Sequence, residues 1–236
     1  MSTIALFDID KTLVNGSKAH WDAFFFALKD VYNVRVEPGI IAHHGMTDQQ
    51  IIREVLKIKG LSSATSEAGL SRCMQVMVDK FNELNPADTV ELLPGVAELL
   101  TALAGRGARC GLVTGNLEAI AWPKLAKAGI DRHFTFGGFG SDHEDRKKMA
   151  DLAVRRCCGM YNLDIKDCRV VLFGDTPYDI AAARAIHAFA VGVATGYPTR
   201  EQLAAAGADI VLDNLADTEK VLALIFMPKT NQGPEP

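Results

Sequence analysis

Short apolar runs alternate with helical stretches along most of this chain, and that alternation limits its fold more than any other feature. After Pro94-Gly95, the segment Val96 to Ala104 has helical spacing and closes at Gly105-Arg106-Gly107. Arg109-Cys110-Gly111-Leu112-Val113-Thr114 is a strand candidate, and Asn116 to Ala128 a helix. A short strand near Phe134, a helix from Asp145 to Cys158, a strand from Cys168 to Phe173 and a helix from Pro177 to Ile186 follow. The rhythm ends with a strand at Ala188 to Val193, a helix at Arg200 to Ala206, a strand at Ile210 to Leu212 and a helix at Asp217 to Phe226. Parallel strands need a crossover between them, usually a helix, so this order predicts an α/β fold with a doubly wound parallel sheet.

One element breaks the rhythm. Thr3 to Phe7 is an apolar strand candidate, yet the chain from Lys18 to about Leu84 reads as almost wholly helical. Phe24, Phe25, Leu28, Val31 and Tyr32 keep helical spacing. Thr47 is a good N-cap with Gln50 at the capping-box position, and Ile51, Ile52, Val55, Leu56 and Ile58 form the stripe of that helix. Gly60 is its stop, and a third helix runs from about Glu67 to Leu84. A structureless loop of that length is implausible inside a compact domain. Residues 17–91 are therefore read as an all-α domain inserted after the first strand. Residues 1–16 and 92–227 form the α/β core, and the polar segment 228–236 is read as a disordered tail.

Composition excludes several classes. The formal net charge of -4 over 236 residues carries no electrostatic footprint for nucleic acid. No apolar run is long enough to cross a membrane, and Ile4 to Phe7 is too short for a secretory signal core. The expectation is a cytoplasmic protein. Five cysteines (Cys73, Cys110, Cys157, Cys158, Cys168) contain no Cys-x-x-Cys and are read as structural or incidental.

Chemistry-bearing residues gather where the strands end. The first strand stops at Asp8 and Asp10, two acids that are costly there unless a cation, a proton or donors satisfy them. Asn15-Gly16 then signals a tight turn. The next strand ends in Thr114-Gly115-Asn116, where a hydroxyl and free amides at a helix start suit an oxyanion or phosphate. Arg146 and Lys147 stand near the start of a helix. Val171-Leu172-Phe173-Gly174-Asp175 ends a strand in an acid, with Asp179 four residues on. Several hard oxygen ligands with few His or Cys suggest Mg²⁺ and not zinc. No Ser-His or Cys-His pairing lies in these loops, so a nucleophile would have to be a carboxylate.

Taken together and in order, these four motifs resemble those of the haloacid dehalogenase-like hydrolase superfamily, over nearly the whole chain. Each motif alone is weak, whereas four in order are specific. The insertion is similar to the helical cap of the phosphoglycolate phosphatase-like branch, and Gly45-Met46-Thr47-Asp48 resembles the Gly-x-Thr-Asp segment of such caps. The resemblance implies that Asp8 attacks phosphorus to form an aspartyl-phosphate. It implies that Asp10 is the general acid and base, and that Thr114 and a cation hold the transferring oxygens. It further implies Mg²⁺ held by Asp8, the Asp10 backbone carbonyl and Asp175, with Asp179 as a ligand or acting through water. Asn15-Gly16 would be the tip of the flap hairpin. One departure stands out: the third motif is usually a Lys, often before a Pro, and here Arg146-Lys147 occur without one. A helix sets these two about 100° apart, so one faces the site, with Arg146 preferred.

The implied function is a Mg²⁺-dependent phosphatase of a small phosphorylated metabolite, with phosphoglycolate as the nearest family substrate. The alternative is a β-phosphoglucomutase-type phosphomutase, which His20 supports by its spacing after the nucleophile. Gly174-Asp175-Thr176-Pro177-x-Asp179 resembles the phosphatase form instead. Asp10 disfavours a dehalogenase, and a noncatalytic binding role on the same fold would waste every reactive group. His43 and His44 could reach the cleft, and Arg53 could meet a substrate carboxylate. Against these stand plainer roles: a helix cap for Thr114 or Asp179, and a solvated or hinge position for His20.

Overall fold

The computed structural model describes residues 2–37, 39–40 and 44–226. His43 and the tail 228–236 lie outside the described residues. Six parallel strands form one sheet: β1 (Ser2–Phe7), β2 (Arg109–Thr114), β3 (Phe136–Phe139), β4 (Cys168–Gly174), β5 (Phe189–Val193) and β6 (Ile210–Leu212). Their order is β3-β2-β1-β4-β5-β6. The chain runs outward from β1 through β2 to β3, then crosses back to place β4 on the other side of β1. The order thus reverses beside β1, and the crevice at such a reversal is where open α/β sheets bind ligands.

Alternation along the strands feeds two cores. Ala5 and Phe7 of β1 join Val171 and Phe173 of β4 on one face, under α4 (Val96–Gly105), α5 (Glu118–Lys127) and α9 (Thr218–Phe226). Ile4 and Leu6 join Val170 and Leu172 on the other, under α6 (Arg146–Tyr161), α7 (Pro177–Ala185) and α8 (Arg200–Ala205). The rings of Phe7 and Phe173 stack 4.7 Å apart directly below the strand ends. Each such buried side chain contributes about 1.5–3 kcal/mol, which fixes the platform on which Asp8 stands.

The inserted residues fold as α1 (Lys18–Tyr32), α2 (Asp48–Ile58) and α3 (Ser63–Leu84). Phe24, Leu28, Ile52, Leu56, Met77 and Phe81 make their core, closed from below by Leu117 and Ile120 at the start of α5. Two linkers join them to the sheet by antiparallel pairing: Asn15 N donates to Glu91 O at 2.9 Å and Leu93 N to Leu13 O at 3.0 Å. Ser17 Oγ ties the same junction to Asp88 at 2.5 Å.

Several details differ from the sequence reading. The third inserted helix starts at Ser63, because Ser62 caps it by accepting from Thr65 N. The third strand lies at Phe136–Phe139, since Phe134 closes a 3₁₀ turn at Asp131–His133. The helical reading of 18–84 is interrupted after Tyr32, where Asn33 turns left-handed at φ 57. Asn15-Gly16 is not the hairpin tip: Lys11, at φ 64, turns the chain so that its N–H meets Val14 O at 2.7 Å. Asn15 is instead held in the linker pairing.

Candidate active site

The carboxyl ends of β1, β2 and β4 lie side by side, and the residues after each line a common cavity of about 570 Å³. Asp8, Asp10, His20, Arg146, Asp175 and Tyr197 are among its lining. Asp8 N donates to Phe173 O at 2.9 Å, which continues the strand pairing by one residue and leaves the Asp8 side chain at the sheet edge. Asp175 follows β4 on the neighbouring strand.

Arg146, the first residue of α6, brings its guanidinium into this acid cluster. Its Nη1 donates to Asp8 Oδ1 at 3.0 Å, to Asp179 Oδ1 and to Val113 O at 3.3 Å, while the buried Nε has no hydrogen-bond partner among the described residues. Asp179 Oδ2 accepts from Thr176 N and Oγ1, which caps α7 and fixes the carboxylate. Lys147 is on the exposed side of α6, so the sequence reading that also offered Lys147 to the site is corrected. The cause is the helical offset between adjacent residues. Burial lowers and Asp179 and Asp8 raise the Arg146 pKa, with the acids prevailing.

Charge in the cluster does not balance. Oxygens of Asp8, Asp175 and Asp179 lie within 4.8 Å of one another, with one guanidinium among three acids. Burial, with Asp179 and Asp10 beside it, pushes the Asp8 carboxyl up to about 7 against the pull of Arg146. Burial, Asp8 and Asp179 push Asp175 up to about 9. A site of hard oxygens that lacks positive charge fits a divalent cation such as Mg²⁺.

Asp10 has the opposite electrostatics. Burial alone would raise its carboxyl, but Lys124 and the Asn116 amide beside it help to hold it below its ordinary value. Lys124 Nζ lies 3.0 and 2.9 Å from the two Asp10 oxygens, and Asn116 Nδ2 donates to Oδ2 at 2.8 Å. Lys124 is fully buried on α5. The sequence reading missed it, although a signal was present: Lys124 falls in the stripe of Ile120, Ala121 and Leu125, where an apolar residue is the rule.

Thr114 is the buried last residue of β2, and Asn116 is buried in the loop just after it. Most of the free amides expected there are already used. Asn116 N donates to Thr114 Oγ1 at 3.3 Å, Leu117 N to Asp48 Oδ2 at 2.8 Å and Glu118 N to Ser141 Oγ at 3.1 Å. Asp48, at the start of α2, thus takes the place of an external anion at the N-terminus of α5. Its own N–H donates to Gly115 O at 2.9 Å. Gly115 is required by this contact, since a Cβ there would lie 2.4 Å from Met46 O.

The inserted helices place the remaining candidates. His20 Nδ1 is 3.1 Å from Lys124 Nζ, and its Nε2 is 3.3 Å from Asp48 Oδ1. His44 lines the cavity and stacks on Tyr197, their ring centroids 3.7 Å apart. Arg53 is not brought to the cavity: it pairs with Glu67 at 2.5 Å and with Glu144, tying α2 to α3 and to the loop before α6. No cysteine lies among the site residues, and burial pushes Cys73, Cys110 and Cys157 up to about 12, as inert thiols.

Residues 5–193 match the model of the haloacid dehalogenase-like hydrolases, and the chain belongs to that family. It is a phosphoric monoester hydrolase. A phosphoglycolate phosphatase from the Cupriavidus necator plasmid is 28% identical over 215 residues, 90% of each chain. A phosphoglycolate phosphatase of Chromobacterium violaceum is 30% identical over 146 residues, 62% of this chain and 63% of that one. A crystal structure of a predicted phosphoglycolate phosphatase from Haemophilus somnus superposes with a TM-score of 0.70 at 24% identity, over 94% of this chain and 98% of that one. No helix among the described residues is long and apolar enough to cross a membrane.

Proposed function

We propose that this protein is a Mg²⁺-dependent phosphatase of a small phosphorylated metabolite, acting in the cytoplasm through an aspartyl-phosphate on Asp8. The observation that carries the reading is the position of Asp8. It is a buried carboxylate at the reversal of strand order, paired with Arg146 and open to the cavity. Asp8 forms a bond to phosphorus as the bond to the leaving oxygen breaks, and Asp10 supplies that oxygen with a proton. Asp10 then takes a proton from the water that attacks the acyl phosphate, which frees phosphate and restores Asp8. Thr114 and Arg146 hold the non-bridging oxygens, so catalysis rests on positioning and on stabilising developing charge. Asp8, the Asp10 backbone carbonyl and Asp175 would hold Mg²⁺, with Asp179 as a ligand or acting through water. When bound, the ion screens the nucleophile from the phosphate charge.

The inserted helices serve as a cap that excludes bulk water and limits the leaving group to a small one. The phosphoglycolate phosphatases among the relatives favour a phosphoglycolate-like substrate. The test is phosphate release from a panel of phosphorylated metabolites with and without Mg²⁺, in wild type and in Asp8→Asn. Release that needs Mg²⁺ and disappears in the variant supports the reading. Conversion of β-glucose 1-phosphate to glucose 6-phosphate, with glucose 1,6-bisphosphate added and no net phosphate released, would instead establish a mutase.

A further inference from the structure

Lys124 has no part in the chemistry above, yet it is the centre of the polar network around Asp10. A lysine with no exposed surface is rare unless it is paired. Here the ammonium has four acceptor atoms on three residues: both Asp10 oxygens, Asn116 Oδ1 at 2.6 Å and His20 Nδ1 at 3.1 Å.

An ammonium donates and cannot accept, so each partner is fixed as an acceptor. Asn116 must then turn its Nδ2 toward Asp10 Oδ2, at 2.8 Å, and Thr114 Oγ1, at 3.0 Å. Thr114 Oγ1 also accepts from Asn116 N, so both its lone pairs are filled and its hydroxyl proton is left to donate elsewhere. His20 is set as the tautomer with hydrogen on Nε2, the nitrogen that faces Asp48. Asp10 Oδ2 accepts from both Lys124 and Asn116, whereas among the described residues Oδ1 accepts from Lys124 alone. Oδ1 therefore keeps the capacity to exchange a proton.

We propose that Lys124 is a positioning residue that orients the Asp10 carboxylate for proton transfer and, through Asn116, turns the Thr114 hydroxyl into a donor. The proposal rests on the phosphatase reading and deepens it. A buried Lys–Asp pair with a purely structural role would slow all substrates alike. A residue that acts through the general acid hurts most where the leaving oxygen needs a proton.

The experiment compares kcat/KM for p-nitrophenyl phosphate, whose leaving group departs unprotonated, with that for the alkyl phosphate turned over fastest. This ratio reports the steps through departure of the leaving group and excludes hydrolysis of the acyl phosphate. Lys124→Met should lower the alkyl value by about 100-fold, the usual scale of general acid catalysis, and the aryl value by less than about tenfold. Asp10→Asn should show the same asymmetry, and the double variant should be no worse than Asp10→Asn alone. Equal losses on both substrates, or additive losses in the double variant, would overturn the proposal. If Lys124→Met does not fold, Lys124→Gln is compared in the same way, and failure of both to fold assigns Lys124 to the core and rejects the proposal. These outcomes leave wild-type turnover intact, whereas a wild type that releases no phosphate rejects the phosphatase reading itself.

Discussion

Asp48 Oδ2 accepts the Leu117 amide at 2.8 Å, so an acid from the inserted helices caps the first turn of a core helix. The same residue donates its N–H to Gly115 O at 2.9 Å. The loop that follows Thr114 and carries Asn116 is therefore shaped partly by the inserted helices resting on it, which couples that contact to the geometry of the cavity.

Asp48→Ala should test this coupling. Loss of a capping carboxylate costs about 0.5–2 kcal/mol. Urea denaturation should show a loss in that range. Steady-state kinetics should show KM raised more than kcat is lowered, because the inserted helices, in the capping role proposed for them, would be held less firmly over the bound substrate. A kcat defect at unchanged KM would place Asp48 in the chemical step instead.

Arg146→Met should be among the most damaging single changes in the core. It strips the guanidinium from Asp8 and Asp179, whose pairing partners are all nearly inaccessible to solvent. Breaking a buried ion pair costs about 3–5 kcal/mol, so the midpoint of chemical denaturation should fall sharply. The defect should ease at acid pH, where Asp8 can take a proton in place of its lost partner. Arg146→Lys keeps the charge but offers one ammonium where the guanidinium spans several acceptors, and should fall between the two. Lys147→Ala, on the exposed side, should stay within about 0.5 kcal/mol of wild type with normal turnover.

Most of the fold is legible in the sequence because the parallel strands are apolar on both faces and the helices between them carry caps. Thr47 with Gln50 is an example, and its capping box is present in the structure. Asp8, Asp10, Thr114, Asn116, Arg146, Asp175 and Asp179 are brought together because each ends or follows a strand or lies in the first turn of a helix. Lys124 is legible only as an anomaly, since its partner Asp10 lies 114 residues away and local spacing carries no such information. The use of the α5 amides by Asp48 and Ser141 is hidden for the same reason.

Metal binding should depend on pH in a definite direction. The ordinary carboxyl value is 3.8, and the fold holds Asp8 at about 7 and Asp175 at about 9. Between these limits the folded protein binds more protons than the unfolded chain, so raising pH lowers the stability of the metal-free protein. Below 3.8 the cost is absent, and above about 9 it is complete. Asp10 acts oppositely, since its lowered value adds stability that is lost only as pH falls through the acid range. Mg²⁺ held as proposed would bind the ionised carboxylates and release their protons. The rise in Tm on adding MgCl₂ to EDTA-treated protein should therefore be small at about pH 5.5 and much larger at about pH 8.5. A Tm increment independent of pH would show that Asp8 and Asp175 do not hold the ion.

Gly115→Ala should separate docking of the insertion from folding of the core. Its Cβ would sit 2.4 Å from Met46 O and 3.1 Å from Thr47 Cα, both backbone atoms that cannot yield by a rotamer change. The inserted layer must lift from the β2 loop, while the sheet and its two apolar cores are untouched. Cleavage by a protease at the linkers should become faster, and kcat/KM should fall by tenfold or more, toward the roughly 100-fold that misplacing a bound substrate by an ångström can cost. Gly105→Ala is the matched control, since nothing lies within 4 Å of a Cβ at that helical position. It should stabilise the protein by about 0.4–1 kcal/mol through the unfolded chain and leave turnover as in wild type. If Gly115→Ala behaves like Gly105→Ala, the inserted helices do not rest on this loop during catalysis.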